Sequence, residues 1–194
     1  GKLDKRFPKK GTIMNVVSKA INTSKPVDAI LAKEYPQFLE FEEEIVKIAV
    51  AYKKRKKAMH MMDYDDLLVQ VLELLKNDRE VRQELQKKYK YILVDEYQDT
   101  NAIQAEIVWL LANESMNVMV VGDDSQSIYS FRGADFKNIM SFPEKFSNAK
   151  VITLEENYRS TQSILDITNA LISRAKEKYT KNLFSSNKPA SFWY

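Results

Sequence analysis

Three short runs of apolar residues, each closed by acidic or polar residues, constrain the fold of this chain most strongly. They lie at 91–94, 117–121 and 150–154. Short runs that are apolar throughout are typical of parallel strands buried on both faces. Helical patterns separate them at about 101–113 and 134–142, and a third helix is predicted at about 161–178. This alternation predicts an α/β fold with a parallel sheet, flanking helices and right-handed crossovers.

The residues before the first run, 12–88, have a helical pattern instead. Apolar residues recur there every three or four positions, which predicts amphipathic helices. One helix is expected at 36–57 and another at 63–76, the second with Asp63 as a candidate N-cap. The buried stripe of the first should be Phe38, Phe41, Ile45, Ile48, Ala49 and Tyr52. The second should bury Leu67, Leu68, Val71, Leu72 and Leu75.

Charge is distributed unevenly along the chain. Residues 1–60 carry 14 Lys/Arg and 7 Asp/Glu, a net charge of +7, whereas residues 61–194 carry 16 and 20, a net charge of −4. A basic front half suggests a polyanionic partner, and the carboxylates behind it suit a metal or nucleotide site. A solvated helical surface is the alternative reading of the same charges.

Composition excludes several classes of protein. The chain has no Cys and one His, His60. A disulfide scaffold, a thiolate zinc site and a Cys nucleophile are therefore excluded, and an imidazole metal cage is disfavoured. No apolar run approaches the roughly 20 residues that a bilayer span requires. We expect a cytoplasmic protein with no membrane partner.

An acid pair, Asp95 and Glu96, follows the first predicted strand. In parallel α/β sheets, function gathers at the carboxyl ends of the strands. Magnesium prefers one or two carboxylates together with phosphate oxygens, so this pair suits a metal–nucleotide site. The second acid can orient or deprotonate an attacking water. A strand end with two solvated acids is the alternative.

The loop after the second predicted strand, 122–134, combines an amide with aromatic and cationic residues. Gln126 can hydrogen-bond a terminal phosphate or its attacking water. Tyr129, Phe131 and Arg132 can stack on unpaired bases or contact phosphates. One loop would then face a nucleotide at one end and a nucleic-acid strand at the other. The alternative is that its aromatic residues only pack beneath the loop.

Tyr158 and Arg159 follow the third predicted strand. Arg159 can stabilise charge that develops on a transferring phosphoryl group, and Tyr158 can stack on a base. A routine helix start, with Ser160 or Thr161 as the N-cap, is the alternative.

Three ordered motifs carry a resemblance to a known family: DEYQDTN at 95–101, GDDSQSIYSFRGA at 122–134 and ENYRS at 156–160. They resemble the Walker B motif and two later motifs of UvrD/Rep/PcrA-type superfamily 1 DNA helicases, and the likeness covers about residues 60–188. It implies part of a RecA-like P-loop NTPase sheet, preceded by an all-helical subdomain. The implied domains are a helical accessory insert at 1–62 and the C-terminal half of motor domain 1 at 63–190, with 191–194 a boundary tail.

The resemblance implies roles around Mg²⁺ and ATP. Asp95 would hold the magnesium ion, with Glu96 beside it also serving as the catalytic base for water. Gln126 would sense the γ-phosphate and couple it to DNA. Tyr158 would stack on adenine, and Arg159 would reach the γ-phosphate.

The resemblance also implies a DNA partner, namely single-stranded DNA and its junctions with duplex. Tyr129, Phe131 and Arg132 would contact the single strand. The family often has Trp at the position of Phe131, and Phe offers a smaller stacking face. The parent protein would be an ATP-dependent DNA helicase or translocase, an ATP hydrolase of the kind used in DNA repair and replication.

One departure from the family bears directly on activity. The sequence contains no G-x-x-x-x-G-K-[ST] pattern, so the backbone cradle for the phosphates and its Lys are missing. The second motor domain is missing too, and the chain therefore resembles an internal fragment. Because positioning dominates phosphoryl transfer, the fragment alone should show only background ATPase activity.

Three other readings stay open at this point. The chain can be a non-catalytic single-stranded DNA binding module that uses its basic helices and the Phe131 loop. It can also be a structural fragment that binds nothing, or belong to the motor subunit of a helicase–nuclease. Tight, salt-sensitive DNA binding without any response to nucleotide would favour the binding module.

Overall fold

A computed structural model describes residues 6–112, 114–130, 133–146, 149–175 and 178–186. The front of the chain is helical, as predicted. It consists of α1 (Lys10–Thr23), α2 (Val27–Glu34), a 3-10 turn (Pro36–Phe41), α3 (Glu42–Ala58), α4 (Tyr64–Asn77) and α5 (Arg79–Lys88). The first three helices enclose a small core of Ile13, Val16, Ala20, Ile30, Leu31 and Ile45.

Local signals define the helix boundaries in this front part. α1 ends at Ser24, whose left-handed backbone lets its N–H bond the carbonyls of Ala20 and Ile21. α4 begins with a capping box, in which Asp63 and Asp66 each accept a hydrogen bond from the other's backbone N–H. The prediction of Asp63 as an N-cap is confirmed.

Two helix predictions need correction. The helix expected at 36–57 begins as the 3-10 turn and becomes α-helical only at Glu42, and Ile48 on its predicted buried stripe is 40% exposed. On α4, Leu75 is fully buried, but Leu67 and Val71 are 50% and 44% exposed. The apolar face of α4 is wider than the area that α5 and α6 cover, so part of this face stays exposed.

The sheet consists of β1 (Ile92–Val94) and β2 (Val118–Val120), which are parallel and pair Ile92 with Val118 and Val94 with Val120. The helix α6 (Ala102–Leu111) connects them, and Asn101 and Gln104 form a capping box at its start. The predicted α/β class is therefore confirmed. One face of the pair packs on a second core of Tyr97, Ala105, Ala112, Ile139, Phe142 and Phe146.

The opposite face of the strand pair is open. Leu93 and Met119 point away from the second core and are 68% and 53% exposed. Because each is apolar and lies directly opposite the other in the register, the pair presents an uncovered hydrophobic surface. In the described structure these strands are therefore buried on one face only, whereas their apolar runs are typical of strands buried on both.

The third predicted strand is wrong. Residues 150–154 are not in a strand, and Val151, Ile152 and Leu154 are 53%, 68% and 79% exposed. An apolar run becomes a strand only where a neighbour accepts its backbone hydrogen bonds, and no described residue pairs with this run. The nearest substitute is a single parallel bridge between Glu156 and Phe184.

The later helices are shorter than predicted. In place of the helix predicted at 134–142, the chain forms two one-turn helices, α7 (Lys137–Met140) and α8 (Phe142–Lys145), separated at Ser141, two residues before Pro143. The last helix, α9, spans Gln162–Ile172 rather than reaching 178. Thr161 precedes α9, but its side chain makes no capping bond. None of the helices in the described ranges is long and apolar enough to cross a membrane.

Candidate functional site

The acid pair lies where β1 ends, as predicted. Glu96 has φ 50° and ψ 42°, a left-handed backbone conformation that costs about 1 kcal/mol or more for a residue with a Cβ. The Asp95 carboxylate accepts a hydrogen bond from the Glu96 N–H at 2.9 Å, and the next backbone N–H, that of Tyr97, bonds Val121 O at 2.9 Å. These bonds hold the sharp turn that aims the second acid away from the strand.

Gln98 joins the two strand ends through one buried side chain. It is 1% exposed. Its amide nitrogen donates to Glu96 Oε2 at 2.7 Å, and its amide oxygen accepts from the Asp123 N–H at 3.0 Å. The acid pair and the loop after β2 therefore occupy one edge of the sheet. The sequence reasoning missed Gln98, because its role depends on an N–H that lies 25 residues further along the chain.

Gly122 is the residue that allows this approach. A Cβ at this position would lie 2.4 Å from the Gln98 amide oxygen and 2.8 Å from Ile139 Cδ1. Because that space is filled, only glycine lets the backbone after β2 come close enough for the Asp123 N–H to reach Gln98.

Gln126, the predicted phosphate sensor, is held by a neighbouring carboxylate. Its amide nitrogen donates to Asp123 Oδ2 at 2.9 Å, while Asp123 Oδ1 accepts from the Ser125 N–H at 3.0 Å. Gln126 itself is exposed. Its amide is thus oriented at the surface of the same sheet edge that carries Glu96.

Lys181 completes this group and was not predicted. Its ammonium donates to Asp123 and also lies 3.3 Å from Asp124 Oδ1, with only 14% of its side chain exposed. Burial raises the pKa of Asp123, but hydrogen bonds from Lys181, Gln126 and the Ser125 N–H outweigh burial and leave that pKa below its ordinary value. Burial lowers the pKa of Lys181, and its two carboxylate partners more than reverse this.

The residues predicted to contact DNA lie only partly within the described ranges. Tyr129 is 38% exposed, and its carbonyl accepts a hydrogen bond from the Ala134 N–H at 3.4 Å. Phe131 and Arg132 lie outside the described residues. Gly133 returns the loop to α1 with φ +86°, at a point where a Cβ would lie 2.9 Å from Asn22 Cβ.

Tyr158 and Arg159 are linked through their neighbouring residues to the segment of Lys181, which contacts the loop after β2. Tyr158 is 77% exposed, and its hydroxyl donates to Glu156 at 2.7 Å, which raises the pKa of that phenol. The Asn157 N–H bonds Phe184 O at 2.7 Å, in the segment that carries Lys181. Within the described ranges, no hydrogen bond or ion pair joins Arg159 to Asp95 or Glu96.

The acid pair has the donor chemistry for a phosphate-bound magnesium ion. No group of three or more Asp, Glu or His residues suited to a metal forms within the described part of the chain. Magnesium does not need one, because it typically takes one or two carboxylates, water and phosphate oxygens. In the same turn, Asp99 Oδ1 is buried without a hydrogen-bond partner, so the cluster retains oxygen-donor capacity.

The fold and this edge define the class of the protein. It is an α/β protein whose carboxylates and amides gather beyond the carboxyl ends of neighbouring parallel strands, where such folds bind their ligands. The family profile of the UvrD/REP helicase N-terminal domain matches residues 2–147. The chain belongs to the UvrD/Rep helicase family.

Two similar proteins carry the same name. The chain is 39% identical over 178 residues to the ATP-dependent DNA helicase PcrA of Leuconostoc citreum, covering 91% of this chain and 23% of that protein. It is 43% identical over 143 residues to the PcrA helicase of Staphylococcus epidermidis, covering 74% and 20%. The chain thus spans about a quarter or less of the length of the curated relatives it matches.

Proposed function

We propose that this chain is part of an ATP-driven DNA helicase, and that the ends of β1 and β2 form the γ-phosphate side of its ATP site. The observation that carries the proposal is the Gln98 bridge, which brings Glu96 and the loop of Gln126 to one sheet edge. The names of the similar proteins supply the reaction, ATP-dependent DNA unwinding.

Each residue at this edge has a step to perform. Glu96 accepts the proton of the attacking water, and its hydrogen bond from Gln98 holds the carboxylate in place. Asp95, with Glu96 beside it, would hold Mg²⁺. When bound, that ion neutralises charge on the phosphates. Gln126 hydrogen-bonds the γ-phosphate or the water through its amide, which Asp123 orients.

Tyr158 and Arg159 would contribute to the ATP site from beside the loop after β2. Arg159 stabilises negative charge on the transferring phosphoryl group, and Tyr158 stacks on adenine through its exposed ring. Both would move with residues 155–157, which are hydrogen-bonded to residues 182 and 184.

The loop after β2 would carry the effect of ATP to DNA. Gln126 lies at one end of it, and Tyr129, Phe131 and Arg132 lie further along. A change at the γ-phosphate that moves Gln126 would shift the residues that stack on single-stranded DNA. Repeated over hydrolysis cycles, this would move the protein along the strand and unwind duplex at a junction.

We also propose the division of the chain that the family resemblance implies. Residues 1–62 form the helical accessory insert, and residues 63–190 form the C-terminal half of the first motor domain. The phosphate-cradling loop and its Lys would come from a part of the longer protein outside this sequence. The 194-residue chain alone should therefore hydrolyse ATP only at the background rate.

DNA titrations of the full-length protein test the proposal. We expect single-stranded DNA to stimulate its ATP hydrolysis, and a non-hydrolysable ATP analogue to change its DNA affinity. Affinity should also fall as salt rises, because phosphate contacts release counterions. Tight, salt-sensitive DNA binding that is indifferent to nucleotide, with no ATP hydrolysis, would show a binding module instead and overturn the proposal.

A further inference from the structure

Lys181 is a largely buried cation set between two carboxylates. Its ammonium bonds Asp123 and approaches Asp124 Oδ1 at 3.3 Å, and the Asp124 side chain is only 6% exposed. Both acids belong to the loop after β2, yet Lys181 lies 57 to 58 residues later in the chain. Removing one partner of a largely buried ion pair is destabilising, because it leaves a charge without compensation. The Asp123 side chain is the most exposed of the three, at 30%.

The segment that carries Lys181 is itself fixed to residues 155–157. The Phe184 N–H bonds Glu155 O at 3.0 Å, and the Asn157 N–H bonds Phe184 O at 2.7 Å. The Asn182 N–H also donates to Glu155 Oε1 at 2.6 Å. Lys181 is therefore presented to the loop from a held backbone, next to the residues that lead into Tyr158 and Arg159.

Asp123 divides its two oxygens between Lys181 and Gln126. Oδ1 receives the ammonium and the Ser125 N–H, while Oδ2 receives the Gln126 amide. If the ammonium is lost, the adjacent Asp123 and Asp124 repel each other without compensation. The carboxylate is then free to rotate or move toward solvent, and the Gln126 amide loses the oxygen that aims it.

We propose that Lys181 is a positioning residue for ATP hydrolysis, which fixes the Gln126 amide by clamping Asp123 and Asp124. The inference rests on the proposed role of Gln126 at the γ-phosphate. It adds that the conformation of the loop after β2 depends on Lys181 as well as on contacts within the loop. Because the segment that carries Lys181 is hydrogen-bonded to residues 155–157, the same ion pair also fixes the residues that lead into Arg159 relative to the loop after β2.

The test uses steady-state ATP hydrolysis by the full-length protein with single-stranded DNA. The Lys181→Met variant should lose about tenfold or more in kcat, since small misplacements of a positioned group carry costs of this order. The KM for ATP should change little, because the lost contact acts mainly in the transition state. Lys181→Arg keeps the charge and should recover part of the rate.

Lys178→Met is the matched control. Lys178 lies in the same segment, but its ammonium bonds the carbonyls of Ile172 and Ser173 at the end of α9 and not the loop after β2. The kcat of the Lys178→Met variant should equal that of the wild type. An equal loss in both variants would show a general effect on the segment and overturn the inference.

A double-mutant cycle with Gln126→Ala separates this inference from the proposed function. If Lys181 acts through Gln126, Lys181→Met should cause no further loss in the Gln126→Ala background. An equal loss in both backgrounds, or no loss in the wild-type background, overturns the inference. If Gln126→Ala alone leaves hydrolysis unchanged, the proposed role of Gln126 fails instead, and the inference fails with it.

Asp123→Asn provides a second route if Lys181→Met does not fold. It preserves the shape of the side chain and an oxygen for Gln126 but removes the charge that pairs with Lys181. We expect a drop in kcat that again disappears in the Gln126→Ala background. An Asp123→Asn protein that is folded by circular dichroism and has the kcat of the wild type overturns the inference.

Discussion

Asn22 on α1 and Asn101 at the start of α6 are joined by a buried hydrogen bond, from Asn101 Nδ2 to Asn22 Oδ1 at 2.7 Å. The Asn22 amide nitrogen in turn donates to Asp65 Oδ1 on α4, also at 2.7 Å. One side chain thus connects the helical front, the capping region of α4 and the end of the DEYQDTN motif. Gly133 packs on the same residue.

Replacing Asn22 with Ala should destabilise the chain by about 1–3 kcal/mol, because buried polar groups of Asn101 and Asp65 lose their partner. The free energy of unfolding in urea measures the loss. Asn15→Ala, at an exposed position on the same helix, is the control and should stay within about 0.5 kcal/mol of the wild type. Equal effects of the two substitutions would argue against a connecting role for Asn22.

A second prediction concerns Gly122. A Cβ at this position meets the Gln98 amide oxygen at 2.4 Å, so Gly122→Ala should cost about 1–3 kcal/mol through displaced packing. Gly11→Ala is the matched control, because nothing lies within 4 Å of a Cβ there and α1 favours Ala. Thermal melting should show a lower Tm for the first variant only. An unchanged Tm for Gly122→Ala would mean that Gln98 is not held where the structure places it.

The decrease in the free energy of unfolding at acid pH should depend on Asp63. Burial raises the pKa of this carboxyl, but its bonds from Lys56, the Asp66 N–H and Tyr52 hold it below the ordinary value of 3.8. The unfolded chain therefore takes up this proton first as pH falls. Stability from this group is present above about pH 5 and decreases as pH drops through 3.8.

Asp63→Asn should reduce this decrease while keeping a good N-cap residue. The measurement is the free energy of unfolding from pH 6 to pH 3. Asp28→Asn, which removes an exposed carboxylate on α2, is the control. If Asp63→Asn follows the wild-type curve at every pH, the Lys56–Asp63 contact does not contribute as described.

Features that depend on neighbouring residues could be predicted from the sequence. The apolar runs that became β1 and β2, the carboxylates that follow β1 and the cap at Asp63 are all local patterns. The proximity of the acid pair to the loop after β2 follows from the same fold class. Parallel neighbouring strands place their carboxyl ends on one edge, and the structure pairs β1 directly with β2.

Features that depend on distant contacts could not be predicted. Gln98 gains its role from an N–H 25 residues away, and Lys181 from carboxylates more than 50 residues away. Neither distance leaves a periodic signal in the sequence. The run at 150–154 was predicted to be a strand and is not one. An apolar run indicates that residues can be buried, but a strand also needs a neighbour that accepts its backbone hydrogen bonds.

The Glu96→Gln variant of the full-length protein tests the central claim most directly, through the kcat of DNA-stimulated ATP hydrolysis. Gln keeps the shape and an oxygen for Gln98 but cannot accept the proton, so kcat should fall by about 100-fold or more while the protein still binds ATP. Glu73→Gln, on the exposed surface of α4, should match the wild type. A Glu96→Gln protein with the wild-type kcat would contradict the claim that this sheet edge is the site of hydrolysis.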